Sequence, residues 1–149
     1  MTELNFKEYC DTIIAQINES KQCVLATCAD NLITTRIVCP LFMDKSIMIS
    51  SGINSLKASQ IKNNPNVAIS VGHLNIEAEA MLYGHPSTYT NFREEYNKKY
   101  PELANIYESS PEDVLIICKI KKVHIYSYVT FPGKDIIDFE NEKAYRIKL

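Results

Sequence analysis

Arg36, Ser50, Ser51, Ser55 and Lys57 form the one cluster of side chains in this sequence whose types and spacing suit a shared chemistry. A guanidinium, an ammonium and three hydroxyls can converge on an oxyanion. Arginine meets phosphate with two parallel N–H groups, and hydrogen bonds with one charged partner are the strong ones. No catalytic acid, base or nucleophile in the triad sense stands out among them, so the chemistry they indicate is the holding of a phosphate. The chain has 4 glycines, at positions 52, 72, 84 and 133, from which neither a dinucleotide fingerprint nor a P-loop can be assembled. A phosphate bound here must be gripped by side chains, and a helix opening near Ser55 would add the positive end of its dipole.

Several elements must bring that cluster together. Phe6, Tyr9, Cys10, Ile13, Ile14 and Ile17 recur at spacings of three and four, which predicts an amphipathic helix over Phe6–Glu19, a lid or brace. The Val-, Leu- and Thr-rich Cys23–Ala29, the turn pair Asp30-Asn31 and the β-rich run 32–43 predict a long hairpin. After Asp44-Lys45, residues 46–51 predict a third strand and residues 52–54 break it. Asn54 or Ser55 then caps a short helix running to about Asn63 and closed by Asn64-Pro65. Residues 67–71 and 76–83 are two more strands, the second alternating Glu77, Glu79 and Met81 against Ala78, Ala80 and Leu82, with the alanines allowing close packing. From Ser87 to about Ser110 the composition shifts to Tyr, Asn, Glu and Lys, with Phe92, Tyr96 and Tyr100 four apart. This predicts a helix, a break at Pro101 and a second helical piece inserted between strands. Residues 114–129, a turn at Phe131-Pro132-Gly133, and residues 136–139 and 144–149 finish the sheet. Neighbouring strands on short turns, with few helices, predict a mainly β fold: an antiparallel meander closed or partly split into a barrel, with flanking helices.

At 149 residues, 46% of them apolar, the chain can fill one core, and a single domain over 1–149 is expected. The formal net charge of −2 offers no basic field for nucleic acid or an anionic membrane surface. Charges at Glu3, Lys7, Glu8 and Asp11 break any signal-peptide core, and no apolar run nears the roughly 18 residues of a membrane span, so a cytoplasmic protein is expected. Cys10, Cys23, Cys28, Cys39 and Cys118 lack the paired close spacing of a zinc site or disulfide framework and read as reduced, mostly buried thiols. His73, His85 and His124 are equally dispersed, and no metal site is expected.

Leu25-Ala26-Thr27, Arg36-Ile37-Val38, Ile49-Ser50-Ser51, Ser55-Leu56-Lys57 and Asn63-Asn64-Pro65 before Val67-Ala68-Ile69 resemble, in order, the pyridoxamine 5′-phosphate oxidase-like, FMN-binding split-barrel family. The resemblance covers roughly residues 20 to 85. It implies a split β-barrel that dimerises, with FMN in a groove shared by both subunits and a small-molecule substrate that the sequence leaves open. Arg36 is similar to the arginine opening the family's phosphate-contacting strand, with Ile37 and Val38 following it. Ser50 and Ser51 are similar to the pair ending the third strand, and Ser55 and Lys57 to residues of a Ser-Arg-Lys element. Glu79 falls where a ring-contacting glutamine is usual. Leu56 replaces the arginine of Ser-Arg-Lys, and Leu41 stands near a family lysine, so weaker FMN binding is expected. An ionised Glu79 would oppose an anionic reduced flavin and lower its potential. The chain ends at Leu149 without the oxidase's extended carboxy-terminal segment, so pyridoxamine phosphate oxidation is not implied.

The resemblance thus implies an FMN oxidoreductase that passes hydride or electrons from a reduced donor to a small acceptor. The alternative is a flavin- or haem-binding module without turnover, for storage, sensing or assembly, and a third reading is an interaction domain with an empty groove. Each residue also has a plainer reading. Arg36 can reach solvent or pair with Glu77 or Glu79, Lys57 can be a solvated charge, and Ser50 and Ser51 can be turn formers before Gly52. Glu79 can be surface alternation, Tyr126 and Tyr128 can serve core or dimer packing rather than flank a ring, and His124 is a satisfied strand residue more readily than an axial ligand.

Overall fold

The computed structural model describes residues 1–103, 110–129 and 132–149. Along them run β1 (Thr2–Leu4), α1 (Phe6–Glu19), β2 (Cys23–Ala29), β3 (Leu32–Val38), β4 (Leu41–Met43), β5 (Ser46–Gly52) and α2 (Leu56–Asn63). These are followed by β6 (Asn66–Val71), β7 (Leu74–Gly84), a 3-10 turn (Pro86–Thr88), α3 (Phe92–Lys99), β8 (Asp113–Ser127), β9 (Gly133–Asp138) and β10 (Lys143–Lys148). The strand β1 was not foreseen; it pairs with β10, Thr2 opposite Arg146. Residues 104–109 of the second helical piece expected after Pro101, and Phe131 of the expected turn, lie outside the described residues.

Two hairpins are set by their turns. Asp30 and Asn31 sit at φ 51° and 64°, and Asp44 and Lys45 at φ 51° and 62°. Left-handed backbone at both central residues is what a two-residue turn needs to match the twist of its strands. The first turn locks β2 to β3 from Ala29–Leu32 to Cys23–Val38, and the second locks β4 to β5.

The run 32–43 is not one strand. It breaks at Cys39-Pro40, where proline brings no N–H to a ladder. β3 stays with β2, while beyond the bend β4 pairs with β5. This bend closes the barrel. β2 pairs with β6, β6 with β7, β7 with β8, β8 with β5 and β5 with β4, and the chain from β4 back through Pro40 to β3 returns to β2. Every pairing is antiparallel. The expected meander therefore holds from β6 to β10 but not for β5, which lies beside β8, nor for β2, which lies beside β6. The 15-residue β8 has β7 along one side; on the other, β5 borders its first half and β9 its second. The fold is a mainly β, antiparallel split barrel.

Ile47, Ile49, Leu25, Ile69, Ile76, Ile116 and Cys118 fill its interior, each at most 2% exposed. The helix α1 begins at Asn5, whose side chain accepts the Glu8 N–H at 3.1 Å, and buries Ile13 and Ile17 in that core. It touches β4, β9 and β10, and is fastened to β9 where Tyr9 Oη donates to Asp135 Oδ2 at 2.8 Å. The helix α2 lies against β2 and β7, where Ala78 and Ala80 are buried. All five thiols are free, but only Cys23 and Cys118 are buried; the other three are half-buried, a correction to the expectation of mostly buried thiols. Burial pushes Cys23 up to about 11 and Cys118 up to about 12.

The strained turn residue is the cheapest point to probe. A non-glycine residue in the left-handed region costs roughly 1 kcal/mol, and Lys45 is exposed at φ 62°. Lys45→Gly is expected to raise the unfolding free energy by about 0.5–1 kcal/mol, net of the extra freedom glycine adds to the unfolded chain. Urea melts with an unchanged slope and a higher midpoint would show it.

Candidate functional site

Ser55 is the N-cap of α2, its Oγ accepting the Ala58 N–H at 3.2 Å. That places Lys57 in the first turn, half-buried, with Nζ donating to Ser51 Oγ at 2.8 Å; Ser51 Oγ lies 3.3 Å from Ser55 Oγ. Ser50 and Ser51, adjacent on β5, leave the strand on opposite faces. Ser51 turns with Ile47 and Ile49 toward α2; Ser50 turns with Met48 toward α3.

Arg36 leaves β3 on the same face as Thr34, two residues earlier. Its guanidinium donates to Thr27 Oγ1 at 2.8 Å, Thr34 Oγ1 at 2.5 Å and the Leu25 carbonyl at 3.1 Å. Thr27 and Thr34 face each other across the hairpin, and each donates its hydroxyl to Gln60 Oε1 of α2, at 2.5 and 2.6 Å. Gln60 Nε2 in turn donates to the Leu32 carbonyl at 3.0 Å. The charge of Arg36 is thus spread through two hydroxyls into a buried amide. Among the described residues neither Arg36 nor Lys57 forms an ion pair, so the alternative in which Arg36 pairs with Glu77 or Glu79 is not what forms.

Lys57 senses Arg36. Lys57 is held below its ordinary 10.5, first by burial and then by the positive charge of Arg36, and burial also lowers Arg36. Two neighbouring like charges without a carboxylate between them suit an anion, which would relieve both the repulsion and the lost hydration.

Beside this pair opens a cleft of about 880 Å³, within the roughly 300–1,000 Å³ of ligand pockets. Of the residues expected at the site, Ile37, Val38, Ser50, Ser51 and Lys57 line it. Arg36 and Ser55 are not on its wall; Ser55 Oγ lies 3.3 Å from Ser51 Oγ, and the charge of Arg36 is felt by Lys57. Glu79 is elsewhere, exposed on the outer face of β7, opposite Asn66 and Lys119, so the surface-alternation reading of Glu79 describes its position. The cleft also takes Lys21, Arg93 and Tyr96, which sequence reasoning missed. Leu41 does not line the cleft. It is 6% exposed and seats Phe92 of α3 together with Met48 and Leu115, whereas Leu56 is 53% exposed on α2.

The remaining candidates lie off the cleft. His124 Nε2 is 2.5 Å from Glu77 Oε2, and His73 and His85 have ring nitrogens near Gln16 and Ser87. Tyr126 and Tyr128 lie parallel with centroids 6.4 Å apart, and Tyr128 is 72% exposed, so neither serves the core. Among the described residues no group of three or more His, Cys, Asp or Glu could hold a metal ion, and no helix is long and apolar enough to cross a membrane.

An antiparallel split barrel with a cleft beside its α2 cap defines the class of protein. The family model described as pyridoxamine 5′-phosphate oxidase matches residues 11–127, and the chain belongs to that family. Solved structures share the fold. General stress protein 26 from Bacillus anthracis is 19% identical, with a TM-score of 0.62 over 98% of this chain and 100% of that one. Campylobacter jejuni ChuZ is 15% identical, with a TM-score of 0.76 over 98% of this chain and 65% of that one. An F420 reductase is 18% identical, with a TM-score of 0.57 over 73% of this chain and 93% of that one. No curated protein sequence matches the chain.

Removing Gln60 should expose what the network is worth. Gln60→Ala strips the acceptor from two hydroxyls of which Thr27 is 1% exposed. Leaving buried polar groups unpaired costs about 1–3 kcal/mol each, so a loss of about 2–3 kcal/mol is expected by chemical denaturation, with Gln60→Glu losing less because its carboxylate can meet Arg36.

Proposed function

We propose that this protein is an FMN-binding oxidoreductase that works as a homodimer with the flavin at the subunit interface. One observation carries the reading: Arg36 and Lys57, neither with a carboxylate partner among the described residues, stand beside a cleft whose wall bears Lys57, Ser50 and Ser51. FMN brings a phosphate for that pair and a flat ring for the cleft. Lys57 and Ser51 would hold the phosphate directly, Arg36 would supply charge and its remaining N–H groups, and Ile37 and Val38 would border the ring. Bound flavin supplies the capacity to take up a hydride or two electrons and release them to an acceptor. The chain's own part is to bind, orient and exclude solvent. Family membership and the F420 reductase among its structural neighbours support this class of chemistry.

The outer face of the hairpin supports the dimer. Ile37 and Val24 sit opposite each other there, 64% and 39% exposed, with Ile33 at 72% further along. A second copy placed on that face would cover these side chains and bring its own groups near Ile37, which also borders the cleft. Glu79 stays outside the cleft of this chain, so its proposed contact with the flavin ring requires the partner's geometry.

Flavin fluorescence quenching tests the assignment. A hydrogen bond to a charged group contributes about 1.5–3 kcal/mol, so Lys57→Ala and Arg36→Ala should each weaken FMN at least about tenfold. Unchanged affinity in both variants would remove the phosphate from this place. Anaerobic addition of NADH or NADPH should bleach the bound flavin; a flavin that stays oxidised would favour the non-catalytic binding module.

A further inference from the structure

Lys99, the last residue of α3, is a half-buried cation with no part in the phosphate site. Its Nζ donates to the Pro40 carbonyl at 2.7 Å and to the Ile17 carbonyl at 3.1 Å. Ile17 lies in the last turn of α1, which has no basic residue of its own, so an ammonium from α3 meets the negative end of that helix. Pro40 belongs to the bend that closes the barrel, and Tyr100 Oη donates to the same carbonyl at 2.5 Å. One side chain thereby ties α1, the bend and α3 together.

The elements it joins are those that line the cleft. Ile37, Val38 and Cys39 lead into the bend, and Arg93, Tyr96 and Tyr100 come from α3 and its cap. The tie is also sensitive to pH. Burial first, and then the charge of Lys21, lowers Lys99 from 10.5 to about 8. Lys21 Nζ donates to the Lys99 carbonyl, and the ammoniums of Lys21 and Lys99 lie 5.2 and 5.4 Å from the Tyr100 ring centre. The other titratable groups that face Lys99 are Cys23 of β2 and Cys39 of the bend. Burial raises both thiols and the Tyr100 phenol, so they keep their protons over the range in which Lys99 loses its own. A neutral amine still reaches both carbonyls, but hydrogen bonds without charge are roughly half as strong.

We propose that Lys99 is a positioning residue for the cleft: its ammonium holds the bend and α3 at the spacing that grips the flavin, so that FMN affinity follows the proton on this side chain. The proposal rests on the flavin reading above and adds a regulation of the same site. Lys99 is not on the cleft wall and acts through the Pro40 carbonyl. Below about pH 8 the tie is charge-assisted and the cleft keeps its ligand; as the pH rises through that value the tie weakens and the ligand is held less tightly.

The test is FMN affinity, by flavin fluorescence quenching, at about pH 7 and about pH 9, on either side of the Lys99 transition, in the unsubstituted protein, Lys99→Arg and Lys99→Met. Arginine keeps its charge at both values and its fork can meet both carbonyls, whereas methionine carries no charge. At the lower pH the unsubstituted protein and Lys99→Arg should bind FMN alike, with Lys99→Met at least about tenfold weaker. At the higher pH the unsubstituted protein should bind about fivefold more weakly than Lys99→Arg and approach Lys99→Met. Titration of Lys57 or of FMN itself is common to all three proteins and cancels in these ratios. Circular dichroism checks that each variant is folded, and either variant decides without the other, since the Lys99→Met deficit must shrink with pH as the Lys99→Arg advantage grows. Affinity ratios that are the same at both pH values, or a Lys99→Met variant that binds FMN as tightly as the unsubstituted protein at the lower pH, would overturn the proposal and leave the flavin reading standing. An unsubstituted protein that takes up no FMN at either pH would overturn both.

Discussion

Two positive charges from different elements, near enough for one to lower the other and with no carboxylate partner among the described residues, are the constraint on which the site depends. Arg36 and Lys57 come from different elements, β3 and α2, and neither can retreat. Arg36 is tied by Thr27 and Thr34 into Gln60, and Lys57 is held by Ser51 at the opening of a helix capped by Ser55. An anion bound beside them would relieve the repulsion that helps hold Lys57 below its ordinary value.

The barrel supplies the geometry through a single bend. Because the chain turns at Cys39-Pro40, β3 and β5 belong to one closed circuit, and the end of β5 comes level with the start of α2. Gln60 then does two jobs from inside that circuit: it accepts from the hydroxyls of buried Thr27 and half-buried Thr34 and, through them, fixes the direction of Arg36. The insertion between β7 and β8 adds the other wall. Its helix is anchored by Phe92 over Leu41, which explains why an apolar residue stands where the family resemblance placed a lysine.

Much of this was legible in the sequence where the determinants are local. The Asp30-Asn31 and Asp44-Lys45 turns, the apolar stripe of α1 and the Ser55 cap each rest on a few adjacent residues, and each forms as read. The pairing of β5 with β8 was not legible, because nothing near Ser46 signals a partner some seventy residues on. The direction of Arg36 also lay out of reach without the hairpin register, although counting back from the turn puts Thr34 opposite Thr27 and both on the arginine's face. Arg93 gave no local sign, since a charge on a polar helix is ordinarily solvated. Glu79 was drawn to the site by family position alone, and strand alternation carries it to the outer face.

The most direct measurement is the titration of the Lys57 side chain by NMR in the free protein and with saturating inorganic phosphate, using Arg36→Gln as the comparison. Lys57 should titrate below the ordinary lysine value of 10.5 in the free protein, rise when phosphate binds, and rise without phosphate when the arginine's charge is removed. A Lys57 that titrates at the ordinary value and responds neither to phosphate nor to loss of the arginine would contradict the account.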